Sequence, residues 1–311
     1  MPASAPRAGA EAFFSEHRNT HLWIVNRAAE LLRDEGAAGG LTYELVKPLQ
    51  YPQMDRRNGE NPVLPLISTN GVYPARGTPH RSSDFAPEKM ADAFHDRLCQ
   101  GIYDADHKAP YNDPMLPSGL CPIWKSHFYD PDTQTNWLGQ KTPTAVTRAT
   151  SYYELAREAY RLGHARMAGY ALGLALHYMG DLTQPMHAAN FTWLSSRPCG
   201  YHTAFEEYAG TMLQHIQLPQ RFQPLALGVM PQGYLKAVAR RTKDTYYRKV
   251  CRPEWLQTYR KEEVTREIWH QRLGLLIGPM LTDAVLMTAQ FLLSWAESLA
   301  LVQKNPLSHV F

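Results

Sequence analysis

Apolar positions recur three and four residues apart along most of this chain, the period of a helix buried on one face. The first such run starts near His21, where Asn19 or Thr20 can cap it, and LWIVNRAAELL carries it to Leu32. GAAGG at 36–40 stops it. Pro87-Glu88 opens a second helix, proline being suited to the first helical position, and Met90, Phe94, Leu98 and Ile102 mark its buried face. Helical patterns follow at about 142–161, 164–180, 202–216, 231–248, 261–277 and 280–303. No alternating run bounded by turn residues argues for a sheet. The expectation is an all-α fold, a single multi-helix domain over 1–311 with long loops.

Two stretches break the pattern. Between 41 and 86, prolines at 48, 52, 62, 65, 74 and 79 fall among Asn, Gly and Arg, and no period survives. Residues 36–86 therefore read as an irregular insertion, of the kind that serves as a lid or partner surface. Residues 107–140 are loop again, rich in Pro, Asp, Gly and Asn.

The most apolar stretch, Ala284 to Ala296, is bounded by Asp283 and Glu297 and is short of the ~18–20 residues a bilayer span needs. It reads as a buried core helix, so no transmembrane segment is expected and any contact with lipid is peripheral. The N-terminus, MPASAPRAGAEAFF, has no apolar run of signal-peptide length. Lys plus Arg is 32 against 29 Asp plus Glu, a net charge of +3, which does not argue for a nucleic-acid partner. Cys99, Cys121, Cys199 and Cys251 form no C-x-x-C pair and suit buried thiols as well as bridges. Thirteen histidines are the compositional oddity, and their placement carries the chemistry.

Between Ala171 and Tyr208 the sequence reads ALGLALHYMGDLTQPMHAANFTWLSSRPCGYHTAFEEY. His177 and Asp181 are four apart on a helix and emerge from one face. Pro185 should end that helix, and His187 follows the break. His202 and Glu206 form a second four-residue pair on the next helix. One such pair alone is commonly an ordinary surface pair. Two pairs plus His187, with a core-facing Asp among them, point to a metal, because imidazole and carboxylate are what zinc takes when no thiolate is offered.

HYMGDLTQPMHAANFT followed by YHTAFEEY resembles the bacterial zinc-dependent phospholipase C family, which contains the Bacillus phosphatidylcholine-hydrolysing enzymes and the clostridial alpha-toxin. HLWIVNRAAEL at 21–31, GIYDADHKAPY at 101–111 and SHFYDPDT at 126–133 are similar to further family segments, in the same order. The resemblance runs from about residue 11 to the C-terminal helix and is weak across 217–260. It implies an all-helical fold with metal ions in one cleft. By position, Asp106, His127, His177 and Asp181 would hold one zinc, and His187, His202 and Glu206 a second. His21, with Asp181 as a bridging carboxylate, would hold a third.

The third position is where the chain departs from the family, whose mature N-terminal Trp supplies ligands there. An ungapped count back from His21 puts Ala8 at that place, and no Trp precedes Trp23. Two zinc ions are therefore expected, and a third where other groups, such as His17, His80 or Asp84, complete it.

The implied reaction is hydrolysis of the glycerol-side phosphodiester of phosphatidylcholine or a related phospholipid. Metal-activated water attacks phosphorus, giving diacylglycerol and a phosphorylated headgroup. Asp106 is the implied general base. Glu11, His107 and Trp124 match the family's choline-contacting acid and two aromatics, with His107 replacing a Tyr of the Bacillus enzymes. A zinc-dependent single-strand nuclease of the same fold, or a metal-stapled binding protein, are the alternatives. The family implies export, here without a recognisable leader. The alpha-toxin's C-terminal lipid-binding β-sandwich is not expected in this chain. The basic run RRTKDTYYRK at 240–249 reads as a solvated helix face that could also approach anionic lipid.

Overall fold

A computed structural model describes residues 20–33, 87–107, 124–192, 200–225, 227–252 and 263–304, without the side chains of 87–93, 107, 263–269 and 300–304. Seven principal helices lie in the described residues. They are α1 (Thr20–Leu32), α2 (Pro87–His107), α3 (Ala145–Arg161), α4 (Ala165–Leu182), α5 (Tyr201–Met212), α6 (Gln232–Thr242) and α7 (Glu263–Lys304). No strand forms among the described residues, and the loop before α3 carries one isolated bridge, Asp130 to Thr135. The fold is all-α, as its periodicity predicts. The insertion at 36–86, Cys121 and Cys199 lie outside the described residues, and Cys251 is a free thiol.

Helix α4 is the axis of the core. Every residue from Ala168 to Leu182 is buried. Its sequence alternates bulk with glycine, and the glycines set how closely α2 approaches. A Cβ added at Gly169 would lie 2.2 Å from the Phe94 carbonyl oxygen, and one at Gly173 would lie 2.1 Å from that of Leu98. Seen from the other side, a Cβ on Gly101 would lie 2.2 Å from the Tyr170 carbonyl oxygen. Only the missing side chains allow this backbone-to-backbone contact. Tyr170 Oη then donates to Asp104 Oδ2 at 2.8 Å across the same seam, pairing a buried acid that would otherwise be costly.

The helix ends follow local chemistry. At α3, the Thr144 side chain accepts from the Thr147 N–H at 3.2 Å, and Thr147 Oγ1 accepts from the Thr144 N–H at 2.8 Å, a reciprocal cap. At α4, the chain leaves the helix after Leu182, with Thr183 Oγ1 donating to the Gly180 carbonyl at 2.7 Å, just before Pro185. A π-helical turn, Lys243–Tyr247, and a short Arg248–Val250 segment extend α6.

Two expectations need correction. The two helices expected at 261–277 and 280–303 are one, α7, with Pro279 inside it. Proline costs that helix a hydrogen bond, but Leu273, Ile277, Met280 and Leu281 are buried on both sides of it, and their burial carries the helix through. The apolar stretch is consequently longer than expected. His270–Leu299 is 30 residues, with a window of mean hydropathy 1.5, and is long and apolar enough to cross a membrane by composition. Val285, Ala289, Leu292 and Ala296 on it are buried in the core, and α7 packs against α1, α3, α4 and α5. The basic run at 240–249 is a solvated face, as expected, with Arg248 and Lys249 exposed, and three of its cations are also paired. Lys243 Nζ donates to Asp130 at 2.6 Å and to Asp132 at 2.7 Å, Arg240 pairs with Asp132, and Arg241 pairs with Asp283 at 3.0 Å.

Candidate metal centre

The glycine seam presses α2 onto α4, and this brings the Ile102 carbonyl within 2.9 Å of His177 Nδ1. A carbonyl oxygen can only accept, so Nδ1 carries the proton and Nε2 offers a lone pair. That lone pair meets Asp106 Oδ1 at 3.3 Å and His127 Nδ1 at 3.3 Å. His127 comes from a 3-10 turn, Lys125–His127, whose preceding residue Trp124 adopts a left-handed backbone with φ 38°. The same tautomer logic holds twice more. His187 Nδ1 faces the His127 carbonyl at 3.1 Å, and His202 Nδ1 donates to that of Phe191 at 3.0 Å.

Asp181, one helical turn beyond His177, splits its two oxygens between neighbours. Oδ2 lies 2.9 Å from His127 Nδ1 and 3.6 Å from His177 Nε2. Oδ1 lies 3.2 Å from His187 Nδ1 and 3.7 Å from His21 Nε2. His21 enters from α1 and stacks on His177, ring centroids 4.1 Å apart. Gly180 makes room for it, since a Cβ there would lie 2.3 Å from His21 Nδ1. On the far side, Glu206 Oε1 lies 2.8 Å from His202 Nε2 and 3.4 Å from His187 Nε2, and those two nitrogens are 3.1 Å apart.

The eight residues thus converge on one place from six segments: α1, the end of α2, α4, α5, the turn holding His127 and the turn holding His187. Their donor atoms form three groups, each within 4.8 Å, of which the first two share His177: His21, His177 and Asp181; Asp106, His127 and His177; His187, His202 and Glu206. Imidazole lone pairs 3.1 Å apart repel unless a proton or a cation lies between them. An all-nitrogen-and-oxygen set in which main-chain carbonyls orient His177, His187 and His202 fits zinc.

The protein's own charges already answer this crowding. Burial opposes ionisation of Asp106 and Asp181, yet the neighbouring imidazoles, His177 first for Asp106 and His127 first for Asp181, hold both well below the usual carboxylate range. Burial likewise opposes ionisation of Glu206, and His202 and His187 outweigh it, holding its pKa near about 2. Burial works against the charge on His187, but Asp181 and Glu206 lift its pKa to about 10. Burial, with His177 beside it, drops His21 to about 3.

Of the residues expected to contact a headgroup, Trp124 is partly buried and its carbonyl accepts from the His127 N–H at 3.0 Å, which sets it next to the cluster. Glu11 and the side chain of His107 lie outside the described residues, as do His17, His80 and Asp84. Two contributors escaped the sequence reading, Gly180 and Gln184. Gln184 Nε2 donates to Glu206 Oε1 at 3.0 Å. Neither is a ligand type. The signal for both was adjacency, since they flank Asp181 on the short path to His187.

An all-helical scaffold that gathers five imidazoles and three carboxylates into one cluster defines a protein built to hold divalent cations. The chain belongs to the zinc dependent phospholipase C family, whose pattern it matches over residues 80–265, more than half its length. It is 28% identical to a phospholipase C of Bacillus cereus over 306 residues, covering 94% of this chain and 86% of the relative. It is 43% identical to a phospholipase C of Listeria monocytogenes over 124 residues, 40% of each chain. Among solved structures, the alpha toxin from Clostridium absonum superposes with a TM-score of 0.56 at 19% identity, over 97% of this chain and 67% of that one. That likeness shows the shared fold.

Proposed function

We propose that the chain is a zinc-dependent phospholipase C, a phosphoric diester hydrolase acting on phosphatidylcholine or a related phospholipid. One observation carries the reading: Asp181 directs one oxygen to His127 and His177 and the other to His187 and His21, joining the three donor groups into a single cluster. Asp106, His127, His177 and Asp181 would hold one ion, His187, His202 and Glu206 a second, and His21 with Asp181 a third if further groups complete it. When bound, such ions supply Lewis acidity toward phosphate oxygens and bring the pKa of water down toward ~7.

Water adds to phosphorus in line with the glycerol oxygen, the bond from phosphorus to that oxygen breaks, the oxygen takes a proton from solvent so that diacylglycerol leaves, and the phosphorylated headgroup is the second product. Asp106 is the group to receive the proton from that water. Its side chain is 21% exposed, against 3% for Asp181 and 13% for Glu206, so it is the carboxylate that solvent and substrate reach most easily. Its low pKa keeps it ionised and makes it a weak base, so its contribution is orientation as much as proton uptake. Trp124 supplies an aromatic face for a quaternary ammonium, with Glu11 and His107 as its expected companions.

The chain acts as one catalytic unit over 1–311 with 36–86 as an insertion. It works at the surface of a bilayer and is exported, as the family resemblance implies. Zinc-loaded protein should release diacylglycerol from phosphatidylcholine vesicles and leave single-stranded DNA intact, and a chelator should stop the reaction. Cleavage of the DNA in place of the lipid would support the nuclease alternative. A zinc-loaded protein inert toward both would overturn the enzymatic reading.

A further inference from the structure

We infer that Gln184 is a positioning residue for the His187, His202 and Glu206 group, an inference that rests on the metal-centre reading above. Gln184 lies two residues past α4, and its carboxamide has both faces occupied. Oε1 accepts from the main-chain N–H groups of Met186 and of His187, the latter at 3.1 Å. Nε2 donates to Glu206 Oε1 at 3.0 Å and lies 3.0 Å from His202 Nε2. A glutamine has two donor hydrogens and two acceptor lone pairs, and here both lone pairs and one hydrogen have a counterpart that an ion at His202 leaves in place. The amide can sit only one way round, because reversing it would set its NH2 against two main-chain N–H donors.

The consequence is geometric. One neutral side chain ties the end of α4 to the turn that carries His187 and to the carboxylate on α5. Residues 18 and 22 positions away in sequence are thereby held in register with the chain two and three positions on. The donor arm fixes which Glu206 oxygen lies between His202 and His187. The acceptor arm fixes the main chain from which the His187 ring projects. Leucine or methionine could fill the space but would supply neither arm. Glutamate would keep the acceptor arm and set a second negative charge against Glu206. Glutamine alone provides both arms without charge, and outer partners of this kind typically govern metal affinity by about 10–100-fold.

Two variants separate the arms: Gln184→Met removes both, and Gln184→Glu removes the donor arm alone. Each is loaded with zinc, dialysed against graded chelator and assayed for bound zinc, with helical content checked by circular dichroism. We expect one zinc equivalent to weaken by about 10–100-fold in both variants, and the remaining zinc to change far less. A purely structural role would lower the melting temperature of the chelated protein and leave every zinc affinity unchanged. That result, in either folded variant, overturns the inference. If Gln184→Met fails to fold, Gln184→Glu decides. Unaltered protein that binds no zinc would instead overturn the metal-centre reading itself, an outcome distinct from normal zinc binding in the variants.

Discussion

His177 and Asp181 stand within α4, where the glycine seam locks the backbone against α2, and their side chains are 1% and 3% exposed. His187, His202 and Glu206 stand on a short turn and the first turns of α5, with side chains 13%, 9% and 13% exposed. The inner group takes its geometry from helix packing, the outer group from individual hydrogen bonds. Disturbing the inner group therefore means disturbing the fold, whereas the outer group can be loosened locally. The contrast reaches single rings. His187 and His21 face the same Asp181 oxygen, yet their protonation is driven in opposite directions. Burial disfavours the charge on both, but His187 has Glu206 as a second acid nearby, while His21 lies stacked against His177.

Asp181→Asn should break the contrast most severely, because Asp181 belongs to both parts. Zinc should fall in each, and phosphatidylcholine hydrolysis should drop by about 10³-fold or more, measured with turnover and bound metal on the same preparation. Loss of activity with full zinc content would show that Asp181 does not bridge.

Gly173→Ala tests the inner part alone. A helix interior normally gains about 1 kcal/mol from this exchange. Here the new methyl meets a main-chain oxygen, so a net loss of about 1–3 kcal/mol is expected in denaturant unfolding. Gly210→Ala on α5 is the control, since its Cβ would meet only Thr20 Oγ1 at 3.9 Å, and it should be neutral or stabilising. Equal losses in both would remove the seam from the argument.

Acidity sharpens the outer part. Zinc binding must displace the proton that His187, with its pKa near about 10, carries at pH 7. Loading at pH 7 should therefore release protons, and affinity should rise roughly tenfold per pH unit for each proton displaced. Calorimetry in buffers of different ionisation enthalpy measures this. For folding without metal the sign reverses. The charged His187 contributes stability fully below pH 6.5, and that contribution is lost as pH rises through about 10. Glu206 behaves oppositely, stabilising above pH 4.5 and losing its contribution as pH falls through about 2. Zinc binding with no proton release would contradict the placement of His187.

The smallest effect lies away from the cluster. Arg240→Ala breaks an ion pair with Asp132 whose partners are 43% and 54% exposed, and it should cost less than about 1 kcal/mol in thermal unfolding.

Local chemistry was legible in the sequence. Pro87 begins α2, α1 begins within a residue of His21, and the chain leaves α4 shortly before Pro185, because such signals act over a few positions. The His177/Asp181 and His202/Glu206 pairs were legible because helical geometry alone fixes residues four apart. What escaped depends on distant partners. The continuity of α7 through Pro279 comes from burial on either side of it. The pairing of Lys243 with Asp130 spans 113 residues, beyond the reach of any local pattern. Glycines at 101, 169 and 173 look like gaps in an apolar stripe until the opposing helix is in place.

The divided carboxylate of Asp181 has a thermodynamic corollary. Were ions to bind on both sides, occupancy of one would alter the oxygen offered to the other, and the two would not load as independent events. By reciprocity, whatever factor the first imposes on the second, the second imposes on the first. A titration curve for this protein should therefore depart from the sum of separate hyperbolas.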